Sequence, residues 1–137
     1  MKLVAFILSN NSYESIEYTV NKIPNIIDDF FISEDSKDKN ILGIVKKNNY
    51  KLIYNHNLGG YGSNVKNSLR YAFNELKADY AIEVHGDHAQ FDPSATYDAL
   101  EYLKDKYDFI SGSRFLEFKE SMKYGYPLER MIPNFFI

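Results

Sequence analysis

Five short apolar runs alternate along the chain with four longer segments whose apolar residues recur at helical spacing, and that alternation leaves few folds open. The runs are residues 3–8 (LVAFIL), 26–32 with a regular part from Phe30, 51–54 (KLIY), 80–84 (YAIEV) and 108–111 (DFIS). Crossovers of helical length between such strands suit a parallel sheet, because antiparallel neighbours need only tight turns. The expected fold is therefore α/β, a Rossmann-like, mostly parallel sheet with helices on both faces. Asn11 with Glu14 reads as a capping box for a helix carrying Ile16, Val20 and Ile23, closed by Pro24. Asp38 is placed to cap a short helix with Ile41, Ile44 and Val45, which Gly43 weakens. The clearest period belongs to Val65, Leu69, Ala72, Phe73 and Leu76, expected to form one buried face. Ser94 opens a last helix with Tyr97, Leu100, Leu103 and Tyr107 inward.

Composition narrows the function classes. At 137 residues the chain has the length of one domain, and 45% apolar residues with 26% charged ones describe a folded protein. A formal charge of -3 without a basic stripe speaks against a nucleic-acid partner held by phosphate contacts. With no cysteine there are no disulfides, thiolate metal sites or cysteine nucleophiles. No apolar run reaches the ~20 residues of a membrane span, and the first run stops at Ser9, too early for a signal peptide. The last seven residues, MIPNFFI, make an apolar stop, so the sequence is expected to end inside a larger architecture.

Residues 79–93 (DYAIEVHGDHAQFDP) concentrate the chemistry. An apolar strand ends there in His85, Asp87, His88, Gln90 and Asp92, and ligands of open α/β sheets bind outside the carboxyl ends of strands. An acidic residue at such a position suits Mg2+ or Mn2+, hard ions that take oxygen ligands and are often shared with substrate phosphates. The plainer reading is a polar loop in which Asp92, Pro93 and Ser94 turn the chain and cap the next helix.

Four segments in order carry a resemblance: the acidic turn 33–38 (SEDSKD), the glycine loop 55–63 (NHNLGGYGS), HGDHAQFDP at 85–93, and YDFISGSRF at 107–115 followed by GYPLERMIPNFF at 125–136. Together they resemble glycosyltransferase family 2, and within it the polyprenyl (dolichyl)-phosphate mannosyl- and glucosyltransferases of GT-A fold. The resemblance implies a single nucleotide-sugar-binding domain over residues 1–137, lacking the acceptor part with which such enzymes continue.

The family's Asp-x-Asp falls on His85, Gly86 and Asp87, with His85 replacing the first aspartate and Gln90 standing one residue late for the metal-contacting glutamine. Asp87, His85 and Gln90 are thus the implied metal ligands. The nucleotide-binding acidic motif falls on residues 33–38. Its first aspartate is Ser33 here, Glu34 is placed to accept from a base N–H, and Asp38 closes it. Ser9 and Asn11 occupy the first nucleotide loop, and Asn57, Gly60 and Gly62 with Gly86 bring backbone close to the donor. Arg114 and Arg130 are the implied phosphate-facing arginines, which with Asp87 make up the catalytic set.

The implied reaction is inverting, metal-dependent transfer of a hexose from GDP-mannose or UDP-glucose to polyprenyl phosphate. Such an acceptor is anionic near neutrality and needs no strong base. The implied location is the cytoplasm, at the membrane face where a lipid-linked acceptor resides. A second reading is a non-catalytic or partner-completed nucleotide-sugar-binding fragment, completed by a membrane-associated partner or a missing C-terminal half. A third, a sugar-nucleotide nucleotidyltransferase, would carry a glycine-rich basic signature after the first strand, which residues 9–14 lack.

Overall fold

The computed structural model describes residues 1–37, 39–55, 60–87, 98–100 and 106–110. Two compact units divide the chain, Met1–Ala95 and Thr96–Ile137. In the first unit the elements run β1 (Leu3–Ser9), α1 (Tyr13–Asn21), β2 (Asp29–Glu34), α2 (Ile41–Asn48), β3 (Leu52–Tyr54), α3 (Gly60–Arg70) with a π turn (Tyr71–Glu75), and β4 (Tyr80–His85). In the second, residues 98–100 are helical, and 108–110 carry no strand. The strand expected at 108–111 is therefore absent from its first three positions, where Phe109 is 83% exposed.

The four strands form one all-parallel sheet in the order β3-β2-β1-β4. The uninterrupted LVAFIL run explains the central place of β1, since a strand flanked by parallel neighbours and covered on both faces has no solvent side to leave polar. All seven of its residues are buried. Its two faces are filled differently. Val4, Phe6 and Leu8, with Phe31 from β2 and Ala72 beyond α3, build one core, against which Val65, Leu69 and Leu76 pack. Phe6 and Phe31 stack at 6.2 Å between centroids, and Tyr71 meets Phe31 edge-on. Truncating the fully buried Phe6 to alanine would cost roughly 3–5 kcal/mol. The alternate residues Leu3, Ala5 and Ile7 point the other way with Ile32, Ile82 and Val84, and Ile16 of α1 and Ile41 of α2 supply buried side chains there.

This two-sidedness follows from connectivity. Beginning at β1, the chain steps outward to β2 and β3 and then returns to place β4 on the other side of β1. Right-handed crossovers put α1 and α2 on one face and α3 on the opposite one. The strand order therefore reverses between β1 and β4, and at such a reversal open α/β sheets form their ligand crevice outside the carboxyl ends of the strands.

Several local expectations change. Helix α1 begins at Tyr13 after Ser12, with no side-chain cap, and Asn11 stands in the left-handed region at φ 60°. The Asn11 capping box does not form because the Asn11 N–H is drawn instead to Glu34 at 3.0 Å. Asn40, not Asp38, precedes α2, and Asn49 ends it in the left-handed conformation. Phe73 leaves the buried face and is 44% exposed, because the π turn widens the helix there and the Leu76 N–H reaches back five residues to the Tyr71 carbonyl. Lys77 then takes a left-handed φ of 55°, and Ala78 N–H closes the end on the Ala72 carbonyl at 3.0 Å.

Candidate functional site at the strand-order reversal

On the β1 and β2 side of the crevice the side chains are tightly interlocked. Glu34 is fully buried, and its carboxylate accepts from Ser9 Oγ at 2.6 Å, Asn11 N at 3.0 Å and Ser36 N at 2.9 Å. Ser9 Oγ in turn accepts from the Ser12 N–H at 3.3 Å. A buried carboxylate is tolerable only when such donors replace its hydration. Glu34 and Ser9 thus pin the loops after β1 and β2 to each other, and the Glu34 oxygens receive these internal donors where a base N–H was expected.

The next residue differs. Asp35 is 6% exposed, and its Oδ1 has no hydrogen-bond partner among the described residues. Its backbone N–H donates to the Ser9 carbonyl at 2.9 Å, which fixes it at the very end of β1. Burial raises the Asp35 pKa above the ordinary aspartate value, and the neighbouring Glu34 charge raises it further. A buried acceptor left without a donor costs free energy unless something fills it. Asp35 was not singled out by sequence because its flank, EDS, looks like any acidic turn.

A polar network clamps α3 to this edge. Asn64 Oδ1 accepts from Ser33 Oγ at 2.5 Å and from Asn55 Nδ2, Asn64 Nδ2 donates to the Ser33 carbonyl at 3.1 Å, and Asn67 Nδ2 donates to Asn55 Oδ1 at 2.8 Å. Asn64 and Asn55 are both buried. Neither was legible as a core residue, since asparagine is ordinarily exposed.

Across the reversal, β4 ends in His85, and Gly86 and Asp87 turn away from it. Gly86 is buried beneath this turn. Its N–H donates to the Leu8 carbonyl at 2.8 Å, and its own carbonyl accepts from Ser15 Oγ at 2.6 Å and Thr19 Oγ1 at 3.2 Å on α1. A Cβ there would lie 2.8 Å from the Leu8 carbonyl oxygen and 3.0 Å from Ile16 Cδ1, so glycine is required for the turn to seat on β1 and α1. Asp87 is exposed, directly after this anchored residue.

Glu83 and His85 alternate onto the α3 face of β4. Glu83 Oε1 accepts from the Tyr61 hydroxyl and lies 3.2 Å from His85 Nε2, while the Tyr61 and His85 rings stack at 6.0 Å. The hydrogen bond from His85 leads in lowering the Glu83 pKa, against the opposing effect of burial, and the Glu83 hydrogen bond pushes Tyr61 up to about 12. Gly60, one residue earlier, has φ 73°, a conformation that favours glycine, whereas Gly62 faces open space. Asp38, Asn57, Gln90, Arg114 and Arg130 lie outside the described residues. Of the expected site, the structure brings Ser9, Asn11 and Glu34 together on one side of the reversal and sets His85, Gly86 and Asp87 on the other.

Among the described residues no three His, Cys, Asp or Glu side chains gather to hold a metal ion. A magnesium-type ion is commonly held by one or two carboxylates, with substrate phosphates and water completing its shell. The exposed Asp87 carboxylate at the end of β4 fits that sparse pattern. No helix among the described residues is long and apolar enough to cross a membrane. No family model, curated protein or solved structure matches the chain.

Proposed function

We propose that the chain binds a nucleotide-diphosphate sugar across the strand-order reversal and serves hexosyl transfer to polyprenyl phosphate, as in the glycosyltransferase family that its sequence resembles. The observation that carries this reading is the buried, unpartnered Asp35 oxygen directly after β2, its N–H on the last carbonyl of β1, together with the exposed Asp87 directly after β4. An acceptor oxygen without a donor suits a heterocyclic N–H, and an acid on the facing strand suits a cation shared with a diphosphate.

In this reading Asp35 receives the base N–H, while Glu34 holds the two loops that frame it. Asp87 and His85, with Gln90, hold the diphosphate end, and Arg114 and Arg130 complement its charge. A bound Mg2+ or Mn2+ would supply neutralisation of the leaving diphosphate. The acceptor phosphate arrives already anionic, so the chain's residues have only to position two phosphates and exclude water between them. Polyprenyl phosphate would place the working protein at the cytoplasmic membrane face, with any further acceptor-side element contributed by additional chain or a partner.

Isothermal titration with GDP-mannose and UDP-glucose, with Mn2+ and with chelator, tests the reading. The expected result is metal-dependent binding of one donor, lost in Asp87→Ala and weakened at least ~10-fold in Asp35→Asn, a charged-acceptor hydrogen bond being worth about 1.5–3 kcal/mol. Binding of neither donor, or binding indifferent to both substitutions, would overturn it.

A further inference from the structure

The cluster of Tyr61, Glu83 and His85 was outside the expected site except for His85, yet it is the only place among the described residues where a side chain from α3 is tied to the chemistry-bearing end of β4 by both a hydrogen bond and a ring stack. One oxygen does the linking. Glu83 Oε1 takes the Tyr61 hydroxyl and sits 3.2 Å from His85 Nε2. The two bonded groups also stack on each other, with 30° between ring planes. The imidazole is thereby held by its edge and its face. Nothing about folding asks for this arrangement. Tyr61 is 61% exposed and the His85 side chain 48% exposed, so the three contacts bury little apolar surface. An acid in a strand that is otherwise apolar up to its end is also a poor choice for packing.

We infer that Glu83 and Tyr61 are positioning residues for the diphosphate end of the site. They fix the orientation of the His85 ring and couple the first turn of α3, which follows directly from the glycine loop, to the turn that carries Asp87. Carboxylates that hydrogen-bond a site imidazole are a recurrent means of setting its tautomer and direction. The tyrosine adds a second constraint, since its hydroxyl keeps the carboxylate from rotating away and its ring limits the tilt of the imidazole. The first turn of α3 and the turn after β4 are thereby coupled: a ligand that contacts the first turn of α3 also aligns His85. This inference rests on the functional reading above, and it adds two residues that the family resemblance does not supply.

The experiment uses Mn2+·UDP and Mn2+·GDP as probes on the full chain, with two readouts. Titration gives affinity, and paramagnetic broadening of the His85 C2–H proton line gives the closeness of the ring to the ion, the line being assigned by its loss in His85→Gln. Glu83→Ala is expected to weaken Mn2+·nucleotide binding by ~10-fold, the lower end for removing such an outer partner, and to reduce the His85 broadening at saturating probe. Glu83→Gln keeps an acceptor oxygen in place and should recover most of both signals. Tyr61→Phe, which removes one hydroxyl, should lower affinity about 3-fold, and it carries the test if Glu83→Ala does not fold as judged by circular dichroism.

Wild-type affinity and undiminished broadening in both Glu83→Ala and Tyr61→Phe, with binding still lost in Asp87→Ala, would overturn the inference and leave the functional reading standing. Absence of Mn2+-dependent binding of either nucleotide by the wild-type chain would overturn both. A purely structural role would lower the melting temperature without changing the broadening at saturation, and that result too would overturn the inference.

Discussion

The two sides of the crevice spend their carboxylates in opposite ways. At the end of β2, Glu34 is sealed from solvent and holds three donors of the protein itself. At the end of β4, Asp87 is exposed on a turn whose preceding glycine is anchored from below. The first side is built as a frame and the second as a surface offered outward. Asp35 is the exception that joins them, an acid buried like a frame residue but with an oxygen left for something else. Wherever acids crowd the end of a sheet, the informative question is thus which of them the protein has already satisfied.

Substitutions can break or sharpen this contrast. The largest effect is expected at Glu34. Glu34→Ala orphans three donors around a buried site and should lower unfolding free energy by about 4 kcal/mol in urea titration. Gly86→Ala comes next, at about 3 kcal/mol, because its Cβ meets a backbone oxygen that cannot swing aside. Asp87→Ala should leave stability within about 0.5 kcal/mol of wild type while removing metal-dependent nucleotide binding. Equal destabilisation by Asp87→Ala and Glu34→Ala would erase the distinction between frame and surface.

A stability effect of opposite direction belongs to Asp35, and its size depends on pH. Its folded pKa is raised, so protonation favours the fold: that contribution is complete below the ordinary aspartate pKa and is lost as pH rises through the elevated one. Asp35→Asn should therefore melt higher than wild type at pH 7, with the difference shrinking as pH falls toward the carboxylate range, while binding nucleotide less well. A substitution that strengthens the fold and weakens binding would mark Asp35 as a residue kept for its ligand. Equal melting at all pH values would show that its open oxygen carries no cost.

The sheet was legible because its signal is local and repeated. Residues 3–8 are apolar throughout, and only a central parallel strand buries such a run on both faces. Ser9, Asn11 and Glu34 stood out through the family resemblance, and the parallel pairing of β1 with β2 is what brings them together. What sequence concealed were the long-range polar pairings. Nothing around Asn11 announces that its N–H will serve a carboxylate 23 residues away in place of a helix cap, and nothing around Asn64 announces a buried clamp on Ser33 and Asn55. Phe73 was misplaced for a different reason, since a strict 3.6-residue period has no provision for a wide turn. In the sequence Glu83 is one polar residue within the run 80–84, and only the structure shows its partners Tyr61 and His85.

That wide turn has a consequence for how the chain tolerates changes in length. Tyr71–Glu75 hold one residue more than an α-helix would need to cover the same rise. Deleting the exposed Asn74 would let the turn close into ordinary helix without lengthening any loop, whereas the same deletion within Gly60–Arg70 would rotate every later side chain by about 100°. The π turn is thus a spare position in the reading frame of the fold, and it lies at the far end of α3 from Tyr61, where a change in residue count leaves the ligand crevice undisturbed.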